Sequence, residues 1–166
     1  MIVIVCGLPG VGKTTLSREL APIINAIILS TDKIRKELIP SPTYSWQERR
    51  LVYDVLVLLA KYLHNAGVNC ILDATFNTEN SRKELTRKLA LMPNQFSLIE
   101  CTCSEDKIIS RLKNRKNDYS DADIFIYRKM KKIYEPVSEE HIIVDTSNTS
   151  KVDIQKIAKQ VLKIRP

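Results

Sequence analysis

The chain has no hydrophobic run long enough to cross a membrane, because its apolar stretches are far shorter than the roughly 20 residues that a spanning helix needs. It shows no secretory signal, no internal repeat and no low-complexity tract. We therefore expect a cytoplasmic protein without membrane association. Its length of 166 residues predicts a single domain over 1–166.

Cysteine and aromatic residues are scarce, which argues against two kinds of protein. The four cysteines do not suggest a disulfide framework, and Cys101 and Cys103 form a CxC pair without a second pair or a nearby histidine for zinc. Aromatic residues make up 6% of the chain and show no pattern of a stacking platform for single-stranded nucleic acid. The sequence therefore indicates neither a zinc module nor a stacking nucleic-acid module.

Acidic residues are outnumbered by basic ones, 19 to 26, which leaves a formal net charge of +7. One interpretation is a polyanionic partner such as RNA or DNA. The other is a solvated, lysine-rich surface of the kind that high growth temperature favours. Both interpretations stay open at the level of the sequence.

Glycine is also rare, yet three of the four glycines fall within six residues. Their spacing is GxxxxGK followed by Thr, the pattern of the phosphate-binding P-loop. Glycine has no Cβ, so the backbone can wrap closely around an anion, and the following helix adds its N-terminal dipole. We expect Lys13 to reach the β- and γ-phosphates and the Thr14 hydroxyl to contact Mg²⁺. The predicted nucleotide-binding residues are Gly7, Leu8, Pro9, Gly10, Val11, Gly12, Lys13, Thr14 and Thr15.

The pattern around this loop is that of an α/β fold with a parallel sheet. The unbroken apolar run at 1–6 is typical of a central strand buried on both faces. Ser45, with Glu48 three residues later, predicts a capping box at the start of a long helix. Further strands are expected at 26–30, 69–73, 96–102 and 141–145. Helices are expected at 13–21 (ended by Pro22), 33–39, 46–66, 78–92, 105–116, 120–135 and 151–164.

Aspartates lie at or just beyond the ends of three predicted strands, at Asp32, Asp73 and Asp145. Ligands of open parallel sheets bind at the carboxyl ends of the strands. Asp32 is therefore a candidate to accept or orient the proton of a hydroxyl that receives a phosphoryl group. Arg35 lies one helical turn later on the same face, where it could hold an anionic group of that acceptor.

The end of the third strand and a basic helix supply further candidates. Asp73 is a candidate Mg²⁺ ligand, directly or through water. Thr75 and Asn77 follow it and are expected to touch the acceptor. Arg111 and Arg115 lie four residues apart, so both point the same way and could close over the phosphates as part of a helical lid. The polar loop at 146–149 is expected near the P-loop.

Taken together, GLPGVGKTT, STDKIRKEL, ILDATF, RLKNRK, SDAD and VDTS resemble the small P-loop kinases grouped around polynucleotide 5′-hydroxyl kinase, which include seryl-tRNA(Sec) kinase and zeta-toxin-like kinases. The resemblance covers nearly the whole chain. It implies an α/β P-loop NTPase kinase fold with a five-stranded parallel sheet of order 2-3-1-4-5, helices on both faces and a helical lid at about 104–120. It also implies ATP and Mg²⁺ as cofactors, Asp32 as the catalytic carboxylate, Arg35 as the acceptor-phosphate arginine, and Arg111 with Arg115 as the lid arginines.

The expected function is an ATP-dependent kinase with a hydroxyl-bearing acceptor. The favoured acceptor is a polynucleotide, an RNA or DNA 5′ end, while a small metabolite, a nucleoside or a nucleotide stays open. A non-catalytic ATP-binding regulatory protein is the alternative from another class. The chain has no NKxD guanine motif, which argues against a GTPase.

Overall fold

A computed structural model describes residues 1–92, 95–114, 120–148 and 152–163. Five parallel strands form one sheet in the order β2-β3-β1-β4-β5. This confirms the expected 2-3-1-4-5 order and the α/β fold. The strands are β1 (Ile2–Cys6), β2 (Ala26–Ser30), β3 (Asn69–Asp73), β4 (Phe96–Thr102) and β5 (Ile142–Asp145).

Helices connect these strands and cover both faces of the sheet. Within the described ranges they are α1 (Lys13–Ile23), α2 (Thr31–Leu38), α3 (Trp46–Asn65), α4 (Glu79–Leu89), α5 (Glu105–Asn114), α6 (Ile124–Lys131) and α7 (Ile154–Lys163). None of the helices in this part of the chain is both long enough and apolar enough to cross a membrane.

Strand β1 lies at the centre of the sheet, and each of its five residues is at most 1% exposed. Its alternating side chains divide the core into two clusters. Ile4 and Cys6 face a cluster that includes residues of α3 and α4, whereas Val3 and Val5 face one built from α1, α5 and α7. Because both faces are covered, an unbroken apolar strand is what this position requires. The carboxyl end of β1 leads directly into the P-loop.

The cysteines belong to this packing. Cys6, Cys70 and Cys101 are buried, and the four thiols of the chain are free in the structure. Burial raises the pKa of Cys6 and Cys70 to about 11 and that of Cys101 to about 12. These thiols therefore stay protonated at neutral pH and act as small apolar side chains.

Several helix ends differ from the expected ones. Helix α1 continues through Pro22 to Ile23, because a proline in the last turn removes only one hydrogen bond. Helix α2 begins at Thr31, with no intervening loop after β2, so Asp32 lies in its first turn rather than at its cap. Helix α4 ends at Leu89, where Ala90 takes a left-handed conformation. Helix ends depend on single backbone angles, which periodicity does not specify.

The predicted helix at 120–135 is much shorter in the structure. Helix α6 begins at Ile124, with Asp123 as the N-cap that accepts a hydrogen bond from the Ile126 N–H, and it ends at Lys131. Ser45 does cap α3 by accepting from the Glu48 N–H, as expected. The Glu48 side chain, however, does not return to Ser45 to complete a capping box, because it accepts hydrogen bonds from the backbone of 43–44 and pairs with Arg35.

Candidate nucleotide-binding site

The P-loop connects β1 to α1, and its glycines have the backbone angles that only glycine adopts without strain. The φ angles of Gly7, Gly10 and Gly12 are +134°, +82° and +94°. A Cβ on Gly7 would lie 2.5 Å from the Cys101 carbonyl oxygen, so a side chain there would push the loop away from β4. Within the described residues no side chain caps the first turn of α1. Its N–H groups are therefore left for an anion.

The Lys13 side chain folds back onto the backbone of the P-loop. Its Nζ atom donates to the carbonyl oxygens of Gly7 and Leu8, at 2.9 Å each. The ammonium group thus lies within the loop that is expected to hold phosphates. An anion there would offer stronger acceptors than the two carbonyls do, since hydrogen bonds between ionised groups are about twice as strong.

Thr14 and Asp73 meet at the start of α1 and the end of β3. The Thr14 hydroxyl donates to Oδ2 of Asp73 at 2.7 Å. Burial raises the pKa of Asp73, although the Lys13 charge and the Thr14 hydrogen bond oppose that effect. A hydroxyl and a buried carboxylate are the hard oxygen ligands that Mg²⁺ prefers. The pair therefore fits the Mg²⁺ that a bound nucleoside triphosphate carries.

Asp32 lines one cavity of about 600 Å³, which Lys13, Thr14 and Asp73 also line. Its carboxylate is partly exposed, at 38% of the side chain, and accepts a hydrogen bond from Arg35 at 3.3 Å. Since α2 begins at Thr31, Asp32 lies two residues beyond the end of β2, in the first turn of the helix. The cavity therefore joins the P-loop to the carboxylate that the sequence singles out.

Arg35 lines the cavity, but its guanidinium group already has partners. It is 6% exposed, and its Nε atom forms a 2.9 Å ion pair with Oε1 of Glu48. The ring of Tyr44 lies beneath it, with the guanidinium carbon 4.8 Å from the ring centroid. The sequence predicts that Arg35 holds an anionic group of the acceptor, and in the structure this arginine is already paired with two carboxylates. The sequence placed Glu48 in a capping box, which hid its role as the partner of Arg35.

Thr75 and Asn77 line the cavity as well, in the loop after β3. The Thr75 carbonyl accepts from the Gly7 N–H at 3.2 Å, which ties this loop to the P-loop. Between them, the buried Phe76 has a φ of +42°, an unfavourable angle for a bulky residue. Arg82 holds this conformation by donating to the Phe76 carbonyl at 3.0 Å. Backbone strain that surrounding contacts maintain in this way is concentrated at functional sites.

Arg111 reaches the P-loop from α5. It donates to the carbonyl oxygen of Thr146 at 2.6 Å and to its hydroxyl at 3.1 Å, while that hydroxyl contacts the Val11 carbonyl. The predicted position of the loop after β5 is therefore confirmed at Thr146. Helix α5 packs directly on the P-loop, because Ile108 and Leu112 are both within 3.2 Å of the position of a Cβ on Gly10. Arg115, the second expected lid arginine, lies outside the described residues, as do 115–119 of the expected lid.

Asp145 is not part of the cavity wall. It is exposed and accepts a hydrogen bond from the Ser147 N–H at 2.8 Å. Sequence reasoning assigned no site role to several groups that line the cavity and that come from the loop before α3, from α3 and from the region of α6. Nothing in their local pattern separates them from ordinary surface residues. These groups are Tyr44, Arg49, Tyr53, Asp121, Lys129 and Met130.

Solved structures share this architecture over nearly their whole lengths. Chaetomium thermophilum Kti12 in complex with ADP-AlF3 has a TM-score of 0.77 at 14% identity, covering 100% of both chains. A sugar kinase from Janibacter sp. HTCC2649 has a TM-score of 0.71 at 17% identity, covering 99% of this chain and 95% of the other. Mycobacterium tuberculosis APS kinase CysC in complex with AMPPNP and APS has a TM-score of 0.69 at 15% identity, covering 98% and 95%. The chain therefore has the fold of P-loop kinases.

The sequence relatives are longer proteins. Uncharacterized proteins of Mycobacterium tuberculosis and Mycobacterium bovis are each 29% identical over 133 residues, covering 73% of this chain and 27% of theirs. The chain thus spans about a quarter of the length of the curated relatives it matches. A family model for an AAA domain, AAA_33, matches residues 2–137, the part that holds the P-loop, Asp32 and Asp73. The chain belongs to the AAA_33 family of AAA domains.

Proposed function

We propose that the protein is an ATP-dependent kinase that transfers the γ-phosphate of ATP to the hydroxyl group of an acceptor. The position of Asp32 carries this proposal, since its carboxylate lines the same cavity as Lys13 and the Thr14–Asp73 pair. Nucleotide binding alone needs only the latter groups. A carboxylate that shares the cavity with the phosphate-binding groups is what a hydroxyl acceptor needs in order to lose its proton.

Each of these residues has a separate role in the proposed reaction. Asp32 accepts the proton of the acceptor hydroxyl as the hydroxyl oxygen bonds to the γ-phosphorus. The bond from that phosphorus to the β–γ bridging oxygen breaks, and ADP leaves with the electron pair. Lys13 and Arg111 stabilise the negative charge of the transferring group, and Arg115 is proposed to act beside Arg111.

The metal site of this proposal consists of Thr14 and Asp73. Mg²⁺ held there supplies positive charge to the phosphate oxygens. The Thr14 hydroxyl and the Asp73 carboxylate orient each other through their 2.7 Å hydrogen bond, which limits the movement of both side chains before any ligand binds. A preorganised pair costs less to order when the nucleotide arrives.

Two classes of acceptor make different demands on this cavity. A polynucleotide 5′-hydroxyl is favoured by the sequence resemblance and by the net charge of +7. A polymer bound by its 5′ end would extend out of the cavity, so its phosphates would contact the protein surface, where positive charge attracts them. A small metabolite, nucleoside or nucleotide fits within a volume of about 600 Å³, which is typical of small-molecule sites. Thr75 and Asn77 are proposed to contact the acceptor in both cases.

The proposal is tested with γ-labelled ATP and two acceptor sets, single-stranded RNA and DNA with 5′-hydroxyl ends and a pool of small hydroxyl metabolites. We expect Asp32→Asn to lower kcat by about 100-fold or more, the usual effect of losing a general base, while the Kd for ATP changes little. Lys13→Ala should weaken ATP binding itself, by about 10-fold to 100-fold. Asp106→Asn, an exposed change on α5, is the matched control.

The outcomes separate the competing functions. Label on an oligonucleotide supports the polynucleotide acceptor, and label on a metabolite alone supports the small acceptor. Unchanged transfer by Asp32→Asn would contradict the proposed mechanism. ATP binding that depends on Lys13 without label on any acceptor would favour a regulatory ATP-binding protein.

A further inference from the structure

A bridge between two distant segments closes the acceptor side of the cavity. The Tyr44 hydroxyl donates a hydrogen bond to Oδ2 of Asp121, and Lys36 Nζ donates to Oδ1 of the same carboxylate at 2.9 Å. Tyr44 lies in the loop before α3, whereas Asp121 lies between α5 and α6. Both residues line the cavity, so their contact forms part of its wall.

The Tyr44 end of this bridge is held firmly. Its φ of +56° is an uncommon angle for a residue with a Cβ, so surrounding contacts must maintain it. Oε2 of Glu48 accepts from the Thr43 N–H at 2.6 Å, from the Thr43 hydroxyl at 3.0 Å and from the Tyr44 N–H at 3.0 Å. Burial raises the pKa of Glu48, but these hydrogen bonds and the Arg35 charge outweigh it and lower the pKa. Glu48 therefore stays ionised and keeps the loop in place.

Arg35 connects this loop to the candidate catalytic carboxylate. Its guanidinium group pairs with Glu48, lies over the ring of Tyr44 and donates to Asp32. A charge that is 6% exposed and paired with two carboxylates is costly to pull away from its partners. Arg35 is therefore better suited to holding Asp32 and Tyr44 in place than to breaking these contacts in order to bind an incoming anion.

The Asp121 end of the bridge can be released more easily. Its side chain is 50% exposed, so water can replace either hydrogen bond. Burial, followed by the hydrogen bond to Asp121, raises the pKa of Tyr44 to about 12. The phenol therefore keeps its proton near neutral pH and remains a donor. One fixed end and one exposed end are the properties of a contact that can open and close.

We propose that the Tyr44–Asp121 bridge is an acceptor gate, and this proposal rests on the proposed kinase function. When closed, the gate restricts transfer to hydroxyl acceptors small enough to be enclosed in the cavity, and it excludes water that would otherwise receive the phosphate. A longer acceptor must break the bridge in order to place its hydroxyl beside Asp32. Arg35 is a positioning residue of this gate and does not bind the acceptor.

The test compares acceptors of increasing length that share one hydroxyl: a nucleoside 3′-monophosphate, a dinucleotide and a longer single-stranded RNA, all with a free 5′-hydroxyl. We expect the wild type to prefer the shortest in kcat/KM. Tyr44→Phe keeps the ring under Arg35 and removes only the donor, and Asp121→Ala removes the acceptor. Each change should lower the ratio of kcat/KM for the shortest acceptor to kcat/KM for the longest by about tenfold, which is the scale at which a pocket discriminates substrates by size. The double variant should do no more than Asp121→Ala alone, because that change already removes the acceptor of the Tyr44 hydroxyl along with the partner of Lys36.

Tyr62→Phe, an exposed phenol on α3, is the matched control and should change nothing. Equal labelling of short and long acceptors by the wild type would overturn the gate, as would additive effects of the two changes. Amide hydrogen exchange needs no acceptor: Tyr44→Phe and Asp121→Ala should each accelerate exchange at both 43–45 and 120–123. If the wild type labels none of these acceptors, the proposed kinase function fails for 5′-hydroxyl acceptors, and amide hydrogen exchange alone then tests the gate. Unchanged exchange at either segment would then overturn it.

Discussion

The Thr14 hydroxyl donates a 2.7 Å hydrogen bond to Oδ2 of Asp73, a residue 59 positions later in the chain. The bond joins the start of α1 to the end of β3 in the interior of the site. It compensates only part of the cost of burying the carboxylate, since the pKa of Asp73 remains raised by burial. The proposed metal-binding position is therefore expected to be a site where function reduces stability.

Asp73→Asn should raise thermal stability while it abolishes Mg²⁺-dependent transfer. A carboxyl whose pKa is higher in the folded than in the unfolded chain costs folding free energy once it is ionised. This cost is absent below the unfolded pKa and is complete above the folded one, so the wild type loses stability as pH rises between them. The neutral amide removes that cost and can still accept from Thr14. We expect Tm to rise by about 2–4 °C at pH 7, corresponding to roughly 1 kcal/mol.

Asp145→Asn is the matched control for that experiment. Hydrogen bonds from Ser147 lower the pKa of Asp145, so its ionised form is favoured in the folded chain. Neutralising it should not raise Tm at pH 7, and transfer should stay unchanged because the residue lies outside the cavity wall. A lower Tm for Asp73→Asn at pH 7, measured by calorimetry, would contradict the stability argument.

Arg111→Ala should lower kcat by about 100-fold to 1,000-fold, the usual cost of losing a group that stabilises transition-state charge. The Kd for ATP should change less, because the P-loop and Lys13 remain. Arg111 donates to the Thr146 carbonyl at 2.6 Å, so some loss of Tm is also expected. Lys113→Ala, an exposed change on the same helix, is the control. A large loss of Tm with normal kcat would show that Arg111 only fastens α5 to β5.

Comparing Gly7→Ala with Gly67→Ala separates the steric cost of a side chain in the P-loop from the cost of backbone strain, because both glycines have a positive φ. A Cβ on Gly7 would lie 2.5 Å from the Cys101 carbonyl oxygen, whereas one on Gly67 would have nothing within 4 Å. Gly67→Ala should cost about 1 kcal/mol, the backbone strain alone. Gly7→Ala should cost clearly more, measured by urea denaturation, and should also reduce ATP binding. Equal losses of stability would refute the steric argument.

Arg82→Ala should be the most destabilising of these changes. This arginine is 2% exposed and donates to the carbonyls of Phe76, Glu135 and Pro136 at 3.0, 3.2 and 2.8 Å. Its removal leaves three carbonyls without their donor, at about 1–3 kcal/mol for each one that stays buried. We expect a loss of about 3 kcal/mol or more by urea denaturation. Arg87→Ala, exposed on the same helix, should cost less than about 0.5 kcal/mol.

Strand positions and the P-loop were predictable because their signals are local. Three strands, β2, β3 and β4, match the expected bounds fully, and β1 and β5 each begin one residue later than expected. An unbroken apolar run indicates burial on both faces wherever it occurs, and GxxxxGK specifies a loop conformation in consecutive residues. The helix at 120–135 was wrong in length, since charged and apolar residues there alternate without revealing that Asp123 caps the helix.

The acceptor side of the site was not predictable in the same way. The D-x-x-R spacing of Asp32 and Arg35 correctly placed both groups on one helical face, in contact at 3.3 Å. It did not indicate that Glu48 would take the guanidinium group. Whether a charge is free or paired depends on which opposite charge reaches it in space, and many carboxylates in the sequence are equally plausible partners.

By itself the sequence determined the parallel sheet, the anion-binding loop and the order in which they follow each other, because periodicity and glycine spacing act over a few neighbouring residues. Only the tertiary structure decided that Thr14 meets Asp73, that Glu48 holds Arg35 and that Tyr44 reaches Asp121. These contacts join separate elements through single hydrogen bonds and ion pairs. Their formation depends on how the sheet brings the ends of those elements together, and no local pattern encodes that.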